Sequence, residues 1–293
     1  METVKENMLL LFSTPYYVLI IGVEIFISNY YQKKLYTFKD TITNLYLMLL
    51  NATIDFFFRA VYVGIIFTFL YHHKIAISWK SSFVYWFCLV LAEDFLYYWL
   101  HRFDHKIRFF WASHVTHHSS EKMNFTVGFR SSVFQPLYRF IYFIPLPLLG
   151  FKPLDIVFVY SATQIWGIFV HTELIKKMGF LEYFLVTPSH HRVHHGSNPK
   201  YIDKNMGMFL IIWDKLFGTF QPELNKEDYE EIKYGLTTQI KKTNAINIVF
   251  HDWFQMYKDS TQPGLTLKQR WLYIFGKPGY NHRSSMKIHN TNS

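Results

Sequence analysis

The run from about Ser82 to Leu100 is apolar and long enough to cross a bilayer as a helix, and it passes without a break into His101-Arg-Phe-Asp-His105. A chain with this feature must fold so that a helix of membrane length delivers two imidazoles to one place. His101 and His105 are four residues apart and share a helix face. Related spacings recur in His114-Val-Thr-His117-His118 and in His190-His191-Arg-Val-His194-His195. Residues three or four apart on a helix point one way, so each group of three is expected to converge its ring nitrogens, which is metal-ligand spacing. His101, His105, His114, His117, His118, His191, His194 and His195 offer eight nitrogens, whereas one ion rarely takes more than about six ligands. Two metal ions are expected. A lone histidine on an apolar face is more often a satisfied core residue, and metal-sequestering tracts are contiguous and low in complexity. These clusters are registered to a helix and set among Phe110, Trp111 and Phe125.

Composition fixes the surroundings. Half of the residues are apolar, 20% are aromatic and 17% are charged, which is too apolar for an ordinary soluble domain and reads as a membrane protein. The single cysteine, Cys88, excludes an intrachain disulfide and a thiolate-ligated cluster, so a metal must be held by histidine. The net charge of +9 fits membrane-facing loops and anionic headgroups better than nucleic acid, because no basic stretch interleaves with aromatics as a binding module would.

In chain order the sequence predicts an all-α, multi-pass transmembrane bundle of about four to five spans, at roughly 8–30, 41–71, 82–100, 133–150 and 153–172. The first lacks a basic leader and cleavage site and reads as a retained helix. The second carries Asp55 and Arg59 one turn apart, able to pair inside the bundle. Pro145, Pro147, Gly150 and Pro153 mark a tight hairpin between the last two. That hairpin returns the chain to the face it left, so 101–132 and 173–220 together form a histidine-rich helical cap on one side. Their loops carry Arg102, Lys106, Arg108, Lys122, Arg130, Lys176, Lys177, Arg192, Lys200 and Lys204, which makes that face cytoplasmic and the N-terminus external. The sequons at Asn51 and Asn124 are then not expected to carry glycans. A single domain over 1–280 and a disordered tail over 281–293 complete the reading.

Several further residues join the candidate site. Asp94 lies seven residues before His101 on the same helix face and is expected either to orient an imidazole or to neutralise a basic loop residue. His171 ends the fifth span at the depth where His101 ends the third and is a ninth candidate ligand. His190 and His191 are adjacent and point about 100° apart, so His191 is taken as ligand and His190 as its support. The segment from Gly196 to Gly207, followed by an amphipathic 209–220, suggests a lid. The stretch from about Ala245 to Tyr257 suits the membrane interface.

The pattern His-x3-His, His-x2-His-His, His-x2-His-His resembles the fatty acid hydroxylase and sterol desaturase superfamily. Within it, Trp111 to His114, His117 to Glu121, Thr187 to Gly196, Ile202 to Asn205 and Ile211 to Phe220 are similar to alkylglycerol monooxygenases and their bacterial relatives. The similarity covers about 80–280. The resemblance implies two iron ions, O2 as oxidant and a membrane lipid as substrate; Asp94, Glu173 and Asn205 are expected as catalytic residues, with Asp94, Asp104 and Glu173 offsetting the metal charge. Because imidazole suits iron, zinc and copper about equally, iron rests on the resemblance alone. With no flavin or nicotinamide fingerprint in the chain, the resemblance implies an outside reductant, either tetrahydrobiopterin or a cytochrome b5-type protein. It also implies an integral membrane location, the cell inner membrane in a bacterium or the endoplasmic reticulum in a eukaryote. Rival readings are a sterol or carotenoid oxidase or a fatty-acid desaturase of the same superfamily, and a histidine-rich metal transporter. The transporter fits less well, because transporters hold their ligands near the bilayer midplane.

Overall fold

Helix is the only regular structure among the described residues, apart from two isolated β-bridges, Leu185 with Leu210 and Gly196 with Tyr234. The computed structural model describes residues 2–75, 79–240 and 244–283. Most of the tail expected to be disordered, 284–293, lies outside them.

Helix α1 (Glu2–Tyr30) continues through Pro15. It docks on the rest of the chain through Glu24, whose buried carboxylate accepts the Phe125 N–H at 2.8 Å and the hydroxyls of Tyr36 and Thr172. Helix α2 (Phe38–Val61) starts at Thr37, whose hydroxyl accepts the Asp40 N–H. It passes through a π-turn at Tyr62–Phe67 into α3 (Thr68–His72), giving one helical run of 35 residues. In that turn the Thr68 hydroxyl donates five residues back to Val63 O at 2.9 Å. Asp55 pairs with Arg59 at 2.6 Å and, in addition, with Arg139. Ser81 caps α4 (Ser82–Lys106), the helix that carries His101 and His105. Among the described residues, the runs Phe38–His72 and Ser82–Lys106 are the two long and apolar enough to cross a membrane.

The expected span over 133–150 is not one helix. It is a 3-10 turn at Gln135–Leu137 followed by α6 (Arg139–Tyr142) and α7 (Pro145–Leu148). Pro136, Pro145 and Pro147 are the reason, since each removes an N–H and its ring clashes with the preceding turn. Helix α8 (Pro153–Phe169) follows, with 17 residues, and stops short of the expected Thr172. These broken segments still pack well: Phe140, Phe143 and Leu146 join Phe67, Leu89, Tyr97 and Tyr160 in the main buried core.

Beyond Lys106 the chain breaks at Ile107, which is extended, and re-enters helix as α5 (Arg108–His118). The reversal folds α5 back against α4. Helix α9 (Pro188–His194) is short and capped by Thr187. The expected amphipathic stretch 209–220 contributes only α10 (Ile212–Leu216), because Asp214 turns inward and Gly218 adopts φ 73°. Helices α11 (Ala245–Ser260) and α12 (Leu267–Phe275) pack on α5, where the guanidinium of Arg108 reaches Asp259 at 2.7 Å.

Candidate metal centre

The nine candidate histidines come together, and they do so as two clusters. His101, His105, His114, His118 and His194 form the first; His117, His171, His191 and His195 form the second. Within each, the potential ligand atoms all lie within 4.8 Å of one another. The helices explain the partition. Residues four apart converge, so His101 with His105, His114 with His118, and His191 with His195 each share a cluster. The residue at i+3 turns away to the other: His117 joins the second cluster and His194 the first. The expectation that each histidine triplet converges on one point is therefore corrected to a two-plus-one division, because neighbouring side chains on a helix point about 100° apart.

The spacing suits a metal. In the first cluster the His114 Nε2 lies 3.1 Å from His101 Nε2 and 3.2 Å from His118 Nε2. In the second, His171 Nε2 lies 2.9 Å from His191 Nε2, and His117 Nε2 lies 3.1 Å from His195 Nε2. Two nitrogens each about 2.1 Å from one ion are about 3.0 Å apart at a right angle and about 3.4 Å apart at the tetrahedral angle. Backbone carbonyls hold the far side of the rings. His101 Nδ1 donates to Met206 O at 2.8 Å, His117 to Arg130 O at 2.9 Å, His171 to Gly167 O at 2.6 Å and His194 to Lys204 O at 3.0 Å. A carbonyl can only accept, so these rings carry their proton on Nδ1 and turn the Nε2 lone pair inward. The Nε2 atoms of His105 and His194 are buried with no hydrogen-bond partner, a costly state that a bound cation relieves. The residues present fit a metal at each cluster.

The electrostatics agree. Burial lowers the basicity of His114, His118, His191, His194 and His195, and the crowding of rings against one another acts in the same direction. His117 is pushed down to about 4, mainly by burial. Neutral imidazole is the form that ligates a metal.

The other expected site residues stand back from the clusters. Asp94 does not touch an imidazole: its carboxylate accepts the N–H groups of Phe209 and Leu210, each at 3.0 Å, and the Trp213 indole N–H at 2.9 Å. Seven residues of helix separate it from His101 by about 10 Å of rise, too far for contact. Asn205, at φ 52°, spends its amide on His190 O and Gln221 O and on the Gln221 N–H. It clamps the loop behind α9 and faces no ring nitrogen. Glu173 belongs to neither cluster and lies with Arg192, Lys176 and Glu223 around a polar pocket of about 390 Å³. Its carboxyl is raised, chiefly by burial and against the pull of Arg192. His190 forms part of the cap of α9, its Nδ1 3.2 Å from Leu185 O, and joins neither cluster.

Three residues that the sequence did not single out support the rings. Arg130 ties α2 to α5 through Asp40, Asn44, Thr116 O and Ser119, while its own carbonyl receives His117. Arg192, between His191 and His194, bonds Thr172 O, Ile175 O and Glu223. Asp214 accepts the N–H groups of Met206 and Gly207 at 2.6 and 2.8 Å and so sets the carbonyl that holds His101. The segment expected to act as a lid is thus a bracket behind the rings. Of the three, only Arg192, between His191 and His194, stands within a histidine motif in the sequence.

Two cavities meet the clusters. One, of about 670 Å³, lies among α1, α2, α4 and α8 and reaches His101, His114, His117, His171 and His191. The other, of about 520 Å³, opens toward α5, α9 and the C-terminal segment and reaches His105, His118, His194 and His195.

Residues 86–219, which contain both clusters, match the fatty acid hydroxylase family model. This stretch, a little under half of the chain, is similar to fatty acid hydroxylase domains. The chain is 35% identical to alkylglycerol monooxygenase of Homo sapiens over 272 residues, 92% of this chain and 59% of that protein. It is 37% identical to the Xenopus tropicalis protein of the same name over 94% of this chain and 57% of that one. With the Danio rerio protein the figures are 44% identity over 57% of this chain and 36% of that one. The chain therefore spans less than two thirds of the length of these relatives. These relatives are named as monooxygenases. No solved structure matches the chain.

Proposed function

We propose that this chain is a membrane-embedded oxygenase that holds two iron ions in its histidine clusters and hydroxylates a C–H bond of a lipid with O2, an ether-linked alkylglycerol being the substrate its relatives point to. One observation carries the reading: two imidazole-only clusters open on a common cavity among helices of membrane length. His101, His105, His114, His118 and His194 hold one ion, and His117, His171, His191 and His195 hold the other. Ferrous ions bound there supply the chemistry that activates O2 for attack on an unactivated C–H bond. The chain supplies placement. Carbonyls fix the rings of His101, His117, His171 and His194 by their far nitrogens, Arg130, Arg192 and Asp214 fix the carbonyls and helices, and Asp94 and Asn205 pin the loops that carry them. Glu173 offsets cationic charge beside Arg192.

Hydroxylation consumes O2 and the C–H bond and releases one water, so two electrons and two protons must arrive from outside. A tetrahydropterin gives both electrons with protons, or two reduced cytochrome b5-type proteins give one electron each while water supplies the protons. On an alkylglycerol the new hydroxyl sits on the carbon next to the ether oxygen, and the resulting hemiacetal separates into a fatty aldehyde and glycerol. The protein is an integral, multi-pass one, in the inner membrane of a bacterium or the endoplasmic reticulum of a eukaryote, with its metal-bearing cap in the cytoplasm.

The test uses purified protein loaded with iron and given O2, an alkylglycerol and either tetrahydrobiopterin or a reduced b5-type protein. Fatty aldehyde formed with one donor supports the reading. If a sterol or acyl lipid gains oxygen from labelled O2 while the alkylglycerol yields no aldehyde, the ether substrate is wrong and the hydroxylase chemistry stands.

A further inference from the structure

The cavity on the bundle side is more polar at its far end than a slot for hydrocarbon needs to be. Away from the imidazoles it is lined by Asp55, Arg139, Tyr160, Ser161 and Gln164. Gln164 lies on α8 five residues, about 7.5 Å of rise, before the helix ends at Phe169, and His171 follows just beyond that end. Asp55 receives Arg59 through one oxygen, at 2.6 and 2.9 Å, and Arg139 through the other. The Arg139 side chain is only 7% exposed and lies over the Tyr160 ring at 5.1 Å. Its Nε–H has no acceptor, and neither does Nε2 of Gln164. Two buried donors thus line one cavity without a partner, and leaving them so costs free energy that a pure hydrocarbon cannot return.

We propose that Arg139 and Gln164 form a subsite for the uncharged, oxygen-bearing end of a lipid, so that the polar end and the carbon to be oxidised enter the same cavity. The inference rests on the hydroxylase reading for the carbon, but not for the subsite. Charge decides the class of ligand. Asp55, 11% exposed, already balances the buried Arg139, while Arg59, which also lines the cavity and shares Asp55, is 27% exposed and carries the remaining charge where water screens it. A full negative charge therefore has no buried cation left to meet it, whereas hydroxyl, ether or ester oxygens match two single N–H donors. A lipid of this kind is held by its head at one end of the cavity, with the rings at the other end selecting a carbon at fixed reach.

Equilibrium binding to the metal-loaded chain in detergent tests this without turnover. The probes are a radiolabelled alkylglycerol, a fatty acid and an alkane of equal chain length. The alkylglycerol should bind best. Gln164→Leu, and separately Arg139→Lys, which keeps the charge opposite Asp55 but removes Nε–H, should each weaken alkylglycerol binding about tenfold or more and leave alkane binding unchanged. Unchanged metal content in each variant checks that it has folded. Equal affinity for alkane and alkylglycerol, a preference for the carboxylate, or wild-type binding by both variants overturns the subsite. The expected binding pattern without product, from any donor, leaves the subsite standing and rejects the oxygenase reading instead.

Discussion

His117 and His118 are neighbours in the chain, yet their rings serve different clusters: His117 Nε2 lies 3.1 Å from that of His195, and His118 Nε2 lies 3.2 Å from that of His114. His194 and His195 divide in the same way. Helices α5 and α9 therefore each supply both clusters, and no single helix owns one.

Metal stoichiometry follows from this division. The purified chain should carry about two ions, whichever of iron or zinc fills the sites on overexpression. His118→Ala should lower occupancy of the first cluster and His195→Ala that of the second, each abolishing turnover while the protein still inserts. Elemental analysis per chain checks this. A fully active protein with one tightly held ion would contradict it.

Acid should strip the metal, and the sign follows from the lowered basicity of the buried rings. In the unfolded chain a histidine titrates near 6.5, whereas His117 in the fold titrates at about 4. The unfolded state thus binds more protons as the pH falls from about 6.5 toward 4. The histidines' contribution to stability is present above that window and lost within it. Thermal unfolding of metal-free protein at stepped pH should show the midpoint falling below about 6.5. A midpoint constant from pH 7.5 to 5 would refute the account.

Asp94→Asn tests action at a distance. The amide keeps one acceptor but turns its NH2 toward backbone donors at Phe209 and Leu210, which should cost about 1–3 kcal/mol of stability. Metal content should change far less than in a ligand variant. A loss of metal as complete as in His101→Ala would mean that Asp94 acts on the ring directly.

Gly207→Ala addresses the bracket behind His101. A Cβ there would stand 2.7 Å from Leu210 O and 2.9 Å from the Asp214 carboxylate, closer than either backbone or a fixed carboxylate allows. The loop must shift and take the Met206 carbonyl with it. Metal affinity should fall on the order of tenfold, as it does when the partner of a ligating histidine is lost. Equilibrium competition with a chelator measures it, and an unchanged affinity would show that the loop has slack.

Sidedness can be read by cysteine labelling in a Cys88→Ser background. Exposed Glu121 and Lys200 should label from the same, cytoplasmic face, and Lys152, at the α7–α8 hairpin, from the other. Labelling of Glu121 and Lys200 from opposite faces would break the assignment of both histidine stretches to one cap.

Much of the site could be read from spacing, because helix geometry fixes which residues four apart converge; His101 with His105 needed nothing more. His171 was reachable from its depth at the end of an apolar run. The division of each triplet was not, since periodicity says which side chains share a face but not how many partners wait on each side. Asp94 misled for the opposite reason: sharing a face with His101 is not contact when two turns intervene. The 133–150 stretch misled because hydropathy counts Pro136, Pro145 and Pro147 as tolerable, while the helix ladder does not. Arg130, Arg192 and Asp214 were illegible because their partners lie far off in sequence, as Arg130 does from Asp40 and Asn44.

The two cavities touch different rings, five on the bundle side and four on the cap side, with no histidine lining both. The nine imidazoles are therefore a bulkhead between two chambers. What enters on the cap side meets His105, His118, His194 and His195; what enters on the bundle side meets the other five. Neither visitor has to leave for the other to come in.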